Sequence, residues 1–158
     1  MARELITSWN DYQAALDHLL GMACHQVCIF DTDLGQMHLD NKARLDELKR
    51  LAHSLRPDSL RMALRDTEPL RRRQAPLMNL LASHSHAFAV QQIPAHLAHL
   101  RDCLLLVDQR HALIRFDNEQ VRSKLLIDEP EEVRPYCQRF EEIWRESGEV
   151  VSPTTLGL

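Results

Sequence analysis

The stretch Cys103-Leu104-Leu105-Leu106-Val107-Asp108-Gln109-Arg110-His111-Ala112-Leu113-Ile114-Arg115-Phe116 decides the architecture. Its first five residues are apolar without interruption, the pattern of a central strand covered on both faces. Gln109-Arg110 then reads as a tight link, and His111 to Phe116 as the hairpin partner. Upstream, Ser8 precedes Trp9, Tyr12, Ala15, Leu16, Leu19 and Leu20, whose three- and four-residue spacing marks one helix face, with Gly21 ending or loosening it. Gln26 to Phe30 reads as a buried strand stopping at Asp31 and Asp33. Asp40 and Asn41 are cap candidates for a second helix through Leu45, Leu48, Leu51, Ala52 and Leu55, stopped at Arg56 by Pro57. Leu60 to Leu64 alternates as a half-buried strand does. Asp66 and Thr67 open a helical stretch with Leu70, Leu77, Leu80 and Leu81, broken at Pro76, and Phe88 to Gln91 is a strand. Downstream, Leu125 to Ile127 is a short strand, and Pro130 starts a last helix whose apolar face is Val133, Tyr136, Cys137, Phe140, Ile143 and Trp144, with Gly148 as its stop. This order predicts an α/β domain over residues 1–150, a mixed sheet flanked by helices, and a flexible tail over 151–158.

Composition bounds the function classes. With 158 residues, 44% hydrophobic, 27% charged and a formal net charge of −4, the chain has enough apolar material for one core and is not a disordered sequence. No apolar run reaches the length of a membrane span, and Met1 to Thr7 lacks a signal-like apolar stretch, so the expectation is a cytoplasmic protein with no membrane partner. Cys24, Cys28, Cys103 and Cys137 are scattered and read as reduced thiols. Cys24 and Cys28 have no second close cysteine pair to complete a zinc site, and the His84/His86 and His96/His99 pairs read as surface or core histidines, so no metal and no other cofactor is expected. Residues 42–73 hold ten basic and five acidic side chains, and residues 128–149 eight acidic and three basic. Arg71, Arg72 and Arg73 read as a solvated helix face: few aromatics interleave with the arginines, which argues against nucleic acid as a partner.

The element order and the block from Arg101 to Ser123 resemble one half of the phospholipase D superfamily, whose active-site motif is H-x-K-x4-D followed by a hairpin and a G-S-x-N element, often with an R-S pair. Leu104 to Val107 fall on the motif strand, Asp108 on its aspartate, Ala112 on a small hairpin residue, Asn118 on the asparagine and Arg122-Ser123 on the R-S pair. Phe140, Trp144 and Ser147 match the family's closing F-x3-W-x2-S pattern. The departures carry as much weight. The nucleophilic histidine falls on Arg101, the phosphate-binding lysine on Cys103, and the glycine and serine on Arg115 and Phe116. A guanidinium stays protonated and has no lone pair with which to attack phosphorus.

The resemblance therefore implies a degenerate member: a non-catalytic ligand-binding or protein-interaction module with a relict anion pocket formed by Arg101, Asp108, Arg115, Asn118 and Arg122. Turn chemistry alone is the competing account of Asp108 and Asn118. The implied partners are an anionic small molecule or a protein, and a second copy pairing through the motif-strand face with Phe116 at the seam. The alternative is a phosphodiesterase or phosphatase that uses His99 or His111, or a metal held by the D-x-D pair Asp31 and Asp33, a pattern that resembles the haloacid dehalogenase motif.

Overall fold

The structure is a computed structural model that describes residues 1–54, 56–146 and 148–152. Leu55, Ser147 and residues 153–158 lie outside it, and with them the expected end of the second helix, the serine of the closing pattern and most of the expected tail. The elements run β1 (Ala2–Ile6), α1 (Trp9–Met22), β2 (Val27–Asp31), α2 (Lys42–Ala52), β3 (Leu60–Leu64), α3 (Glu68–Arg73), α4 (Ala75–Ser83), β4 (Phe88–Gln92), β5 (Cys103–Val107), β6 (His111–Arg115), β7 (Ser123–Ile127), α5 (Pro130–Glu146) and β8 (Glu149–Val150). The strands form one sheet in the order β1-β7-β6-β5-β2-β3-β4-β8. β2, β3 and β4 are parallel to one another, and every other neighbouring pair is antiparallel. The fold is α/β with a mixed sheet flanked by helices.

Two-residue alternation along the strands divides the core into two layers. Ile29, Leu105, Val107 and Leu113 face α1, α2 and α4, where Leu16, Leu19, Leu48, Leu77 and Leu81 meet them. Phe30, Leu104, Leu106 and Ile114 face α5 and pack on Val133, Phe140 and Ile143. The apolar run Cys103 to Val107 is buried at all five positions because both layers cover it. Local chemistry supports these elements. The Ser8 side chain caps α1 by accepting from the Asp11 N–H at 3.1 Å, and Asn41 caps α2 by accepting from the Ala43 N–H at 2.9 Å.

Several expectations need correction. β3 is buried throughout, not half-buried, because it lies between β2 and β4; its one long polar side chain, Arg61, is covered by α5. α2 is Lys42–Ala52 and stops short of the expected Arg56. The break in the third helical stretch falls at Gln74, and Pro76 serves as an early-turn residue of α4. In the β5–β6 turn the central residues are Asp108 and Gln109, with φ of 54° and 58°, and the Arg110 N–H closes it on the Val107 carbonyl at 3.0 Å. The turn is thus one residue earlier than Gln109-Arg110. The edge strands β1 and β8 carry no apolar periodicity and are visible only through their pairing with β7 and β4. Val151, expected in a loose tail, is 1% exposed and donates its N–H to the Val90 carbonyl at 2.9 Å. Arg71, Arg72 and Arg73 are exposed at the end of α3, with Arg72 paired to Glu68, as a solvated face requires.

Candidate functional site

The ends of β2 and β6 and the start of β5 meet at one edge of the sheet, because Phe30 pairs with Leu104 and Cys103 pairs with Arg115. Arg115, the last residue of β6, turns towards α1 and is 2% exposed. Its Nη1 donates to the Asn118 carbonyl at 2.7 Å and its Nη2 to Asp31 Oδ1 at 3.4 Å. The Trp9 and Tyr12 rings of α1 each lie 5.5 Å from its guanidinium carbon. Burial opposes the Arg115 charge, but its polar surroundings, with the Asp31 carboxylate among them, outweigh burial and hold its pKa above the ordinary value. Burial also lifts the Tyr12 and Cys103 pKa values well above their ordinary ranges, reinforced by the nearby Asp31, so both side chains are neutral. Thr32 links the next layer: its hydroxyl accepts from Asn118 Nδ2 at 3.1 Å and from Arg65 Nη1 at 3.4 Å. Arg65 itself lies over the Phe30 ring at 4.3 Å. Among the described residues, Asp31 Oδ2, Arg115 Nε and Asn118 Oδ1 are buried with no hydrogen-bond partner. Three such atoms in one place are unusual for a folded interior and point to a site rather than to ordinary core.

The site residues expected from the sequence divide between two ends of the sheet. Arg101, Arg115, Asn118 and Arg122 lie at the Asp31 end. Arg101 precedes β5, is exposed, and holds Asp117 through two bonds of 2.8 and 3.0 Å, with Glu119 at 3.3 Å. Those bonds from Arg101, with the Glu119 N–H, hold the Asp117 carboxyl down at about 2. Arg122 is exposed, and its carbonyl accepts the Phe116 N–H at 3.2 Å across the β6–β7 loop. Asp108 is not part of this group. It sits at the far end of β5, a strand length of about 17 Å from Cys103. There it accepts the backbone N–H groups of Cys24, His25 and Gln26 at 2.9, 2.8 and 2.9 Å. Burial pushes Asp108 up, but the three backbone donors prevail and leave its pKa below the ordinary carboxylate value. The turn account of Asp108 is therefore the one the geometry favours, with a loop-fastening role the sequence did not reveal.

The residues of the alternative reading are likewise separated. His99 lies in an exposed turn outside β5. His111 opens β6 at the Asp108 end, where its Nδ1 accepts the Asp128 N–H at 2.8 Å. Asp31 faces Arg115, whereas Asp33 accepts the Gly35 N–H at 2.9 Å in a local turn. Among the described residues no three His, Cys, Asp or Glu side chains are grouped to hold a metal ion.

His111 yields a pH expectation. Its burial depresses the imidazole pKa, and the accepting Nδ1 requires the neutral ring. A depressed folded pKa contributes stability that is present above the unfolded value of about 6.5 and lost as pH falls through the folded value. The urea midpoint of the wild type is expected to fall more between pH 7 and 5 than that of His111→Gln. Equal slopes in the two proteins would contradict this assignment.

Tyr12, Thr32 and Arg65 were not anticipated from sequence as parts of this end. The available signal was Asp31 itself, a carboxylate closing a strand that is otherwise wholly apolar, which needs a cation once buried. The fold has counterparts among solved structures. The archaeal chromatin protein TrmBL2, described as showing a novel mode of DNA binding, matches with a TM-score of 0.69 at 9% identity, over 94% of this chain and 54% of that one. This chain thus spans about half of the chromatin protein's length. Nuc from Salmonella typhimurium, a phospholipase D family member, matches with a TM-score of 0.63 at 12% identity, over 96% of this chain and 99% of that one. NucT from Helicobacter pylori matches with a TM-score of 0.60 at 10% identity, over 94% and 98%. No curated protein matches in sequence. These likenesses make the fold phospholipase D-like. In sequence, residues 8–152 match the model of a domain of unknown function, DUF7931, and the chain belongs to that family.

Proposed function

We propose that this chain is a non-catalytic phospholipase D-like domain that serves as a ligand-binding or protein-interaction module. The observation that carries the reading is the occupant of the Asp31 end of the sheet. Where the family resemblance calls for a histidine and a lysine stand Arg101, already held by Asp117, and Cys103, a buried neutral thiol. Arg101 has no lone pair with which to attack phosphorus, and the neutral Cys103 thiol supplies no cation for its oxygens. Behind them the Arg115 guanidinium faces Asp31, so a carboxylate of the protein lies where a bound anion would otherwise lie. The relict anion pocket is then the rim outside this pair: Arg101, Arg122 and the edge of Asn118, with Arg115 beneath. Asp108, about a strand length away, plays no part in it.

Calorimetric titration with inorganic phosphate tests the pocket. Weak, saturable binding is expected; Asp117→Asn, which frees Arg101, strengthens it, and Arg122→Ala weakens it. Heats equal to dilution for both the wild type and Asp117→Asn would overturn the pocket. The same end exposes Trp9 and Phe116, at 37% and 45%, and the module pairs with a second copy through it. Sedimentation equilibrium at micromolar concentration is expected to give the mass of two chains, and Phe116→Asp that of one. A single-chain mass for the wild type would contradict the pairing.

A further inference from the structure

A second site lies on the other layer of the molecule. Between α5 and the sheet is a cavity of about 590 Å³, floored by Cys28 and Leu106 and walled by Cys137, Phe140 and Glu141. That is the volume of an ordinary small-molecule site. Arg61 of β3 lies behind this lining, against two of its members, Cys28 and Glu141. Its Nη1 donates to Glu141 Oε2 at 3.1 Å, its Nη2 to Glu141 Oε1, and Nη2 also meets Cys28 Sγ at 3.4 Å. The Phe140 and Trp144 rings, themselves stacked, lie 5.1 and 5.5 Å from its guanidinium carbon. Arg61 Nε is buried with no hydrogen-bond partner among the described residues.

The two halves of this ion pair are unequally placed. The Arg61 side chain is 8% exposed and the Glu141 side chain 48%. The carboxylate can therefore swing into water at little cost, whereas the guanidinium, fixed on a central strand, cannot follow it. A ligand anion that takes the carboxylate's place keeps the buried guanidinium paired throughout, so the exchange moves only the half-exposed Glu141 into water. Cys28 offers no competing charge: burial pushes its thiol up to about 12, against the pull of Arg61. Phe140 and Leu106 present apolar surface to the body of a ligand, and the Gln26, Gln109 and Gln138 amides line the same cavity together with Arg134, Arg145 and Glu142.

We propose that this cavity binds a small organic anion, a carboxylate or sulfonate on a flat apolar body, with Arg61 taking its charged group in place of Glu141. The site is separate from the Arg115 end, and its test does not depend on that reading. The probe is 1-anilinonaphthalene-8-sulfonate, titrated by fluorescence against the full chain, beside N-phenyl-1-naphthylamine, which has the same body without the sulfonate. The sulfonate is expected to bind at one site about tenfold more tightly than the neutral probe. Glu141→Gln is expected to tighten the sulfonate several-fold and leave the neutral probe unchanged. Cys137→Trp, which fills the cavity, is expected to abolish both. Far-ultraviolet dichroism and a cooperative melt establish that each variant is folded before titration. Equal affinity for the two probes, no saturable signal in the folded wild type, or a Glu141→Gln variant that binds the sulfonate no better would each overturn the proposal. If Cys137→Trp does not fold, the Glu141→Gln comparison, made at a half-exposed residue, decides alone.

Discussion

Arg115→Met is expected to destabilise the protein by about 3–5 kcal/mol, because it leaves the Asp31 carboxylate buried without its cation. Arg115 and Asp31 have side chains only 2% and 4% exposed. Water therefore cannot replace the lost partner without opening the sheet end. Methionine keeps the apolar length of the arginine and its contact with the Trp9 and Tyr12 rings, so lost packing is a minor part of the effect. The double variant Arg115→Met/Asp31→Leu is expected to recover most of the loss, since removing both charges also removes both desolvation costs. Urea denaturation with an unchanged dependence on denaturant measures this. A single variant within about 1 kcal/mol of wild type, or a double variant worse than the single, would show that the pair does not hold this end together.

The second large effect is expected at Asp108. Asp108→Ala removes the acceptor of three backbone N–H groups and places alanine at a φ of 54°. Cys24 and His25 are exposed, so water recovers part of the hydrogen bonding. The expected net loss is about 2–3 kcal/mol. Asp108→Asn tolerates the left-handed backbone and keeps one acceptor oxygen, so it is expected to lose less than half as much. The pH dependence has a definite sign. A carboxylate whose folded pKa is lowered contributes stability that is present above its unfolded value of about 3.9 and lost as pH falls through the folded value. The gap between wild type and Asp108→Ala is therefore expected to be flat from pH 7 to 5 and to narrow in stronger acid. A gap that narrows already between pH 7 and 5 would contradict the assignment.

The two buried layers were readable because apolar periodicity reports burial directly. Cys103 to Val107, Tyr12 to Leu20 and Val133 to Trp144 each carried the period of the element they form. What escaped was set by pairing between distant segments. β1 has four exposed residues of five and exists because β7 offers it an edge. Arg61 looked like the polar member of an alternating strand, and its burial follows from α5 lying across β3, a relation no local pattern carries. The candidate site divided in the same way. Positions near Arg115 were found by aligning a motif along the chain, but the length of β5 separates Asp108 from them. Asp31 drew notice beside Asp33, although its partner is an arginine 84 residues later.

A non-catalytic module, as proposed, is expected not to cleave phosphate esters. The most direct test is hydrolysis of bis(p-nitrophenyl) phosphate and p-nitrophenyl phosphate by the purified chain, each with chelator and with added magnesium. No turnover above the protein-free rate is expected in any of the four conditions. Turnover that survives chelator and is lost in His99→Ala or His111→Ala, or turnover that requires magnesium and is lost in Asp31→Asn or Asp33→Asn, would contradict it.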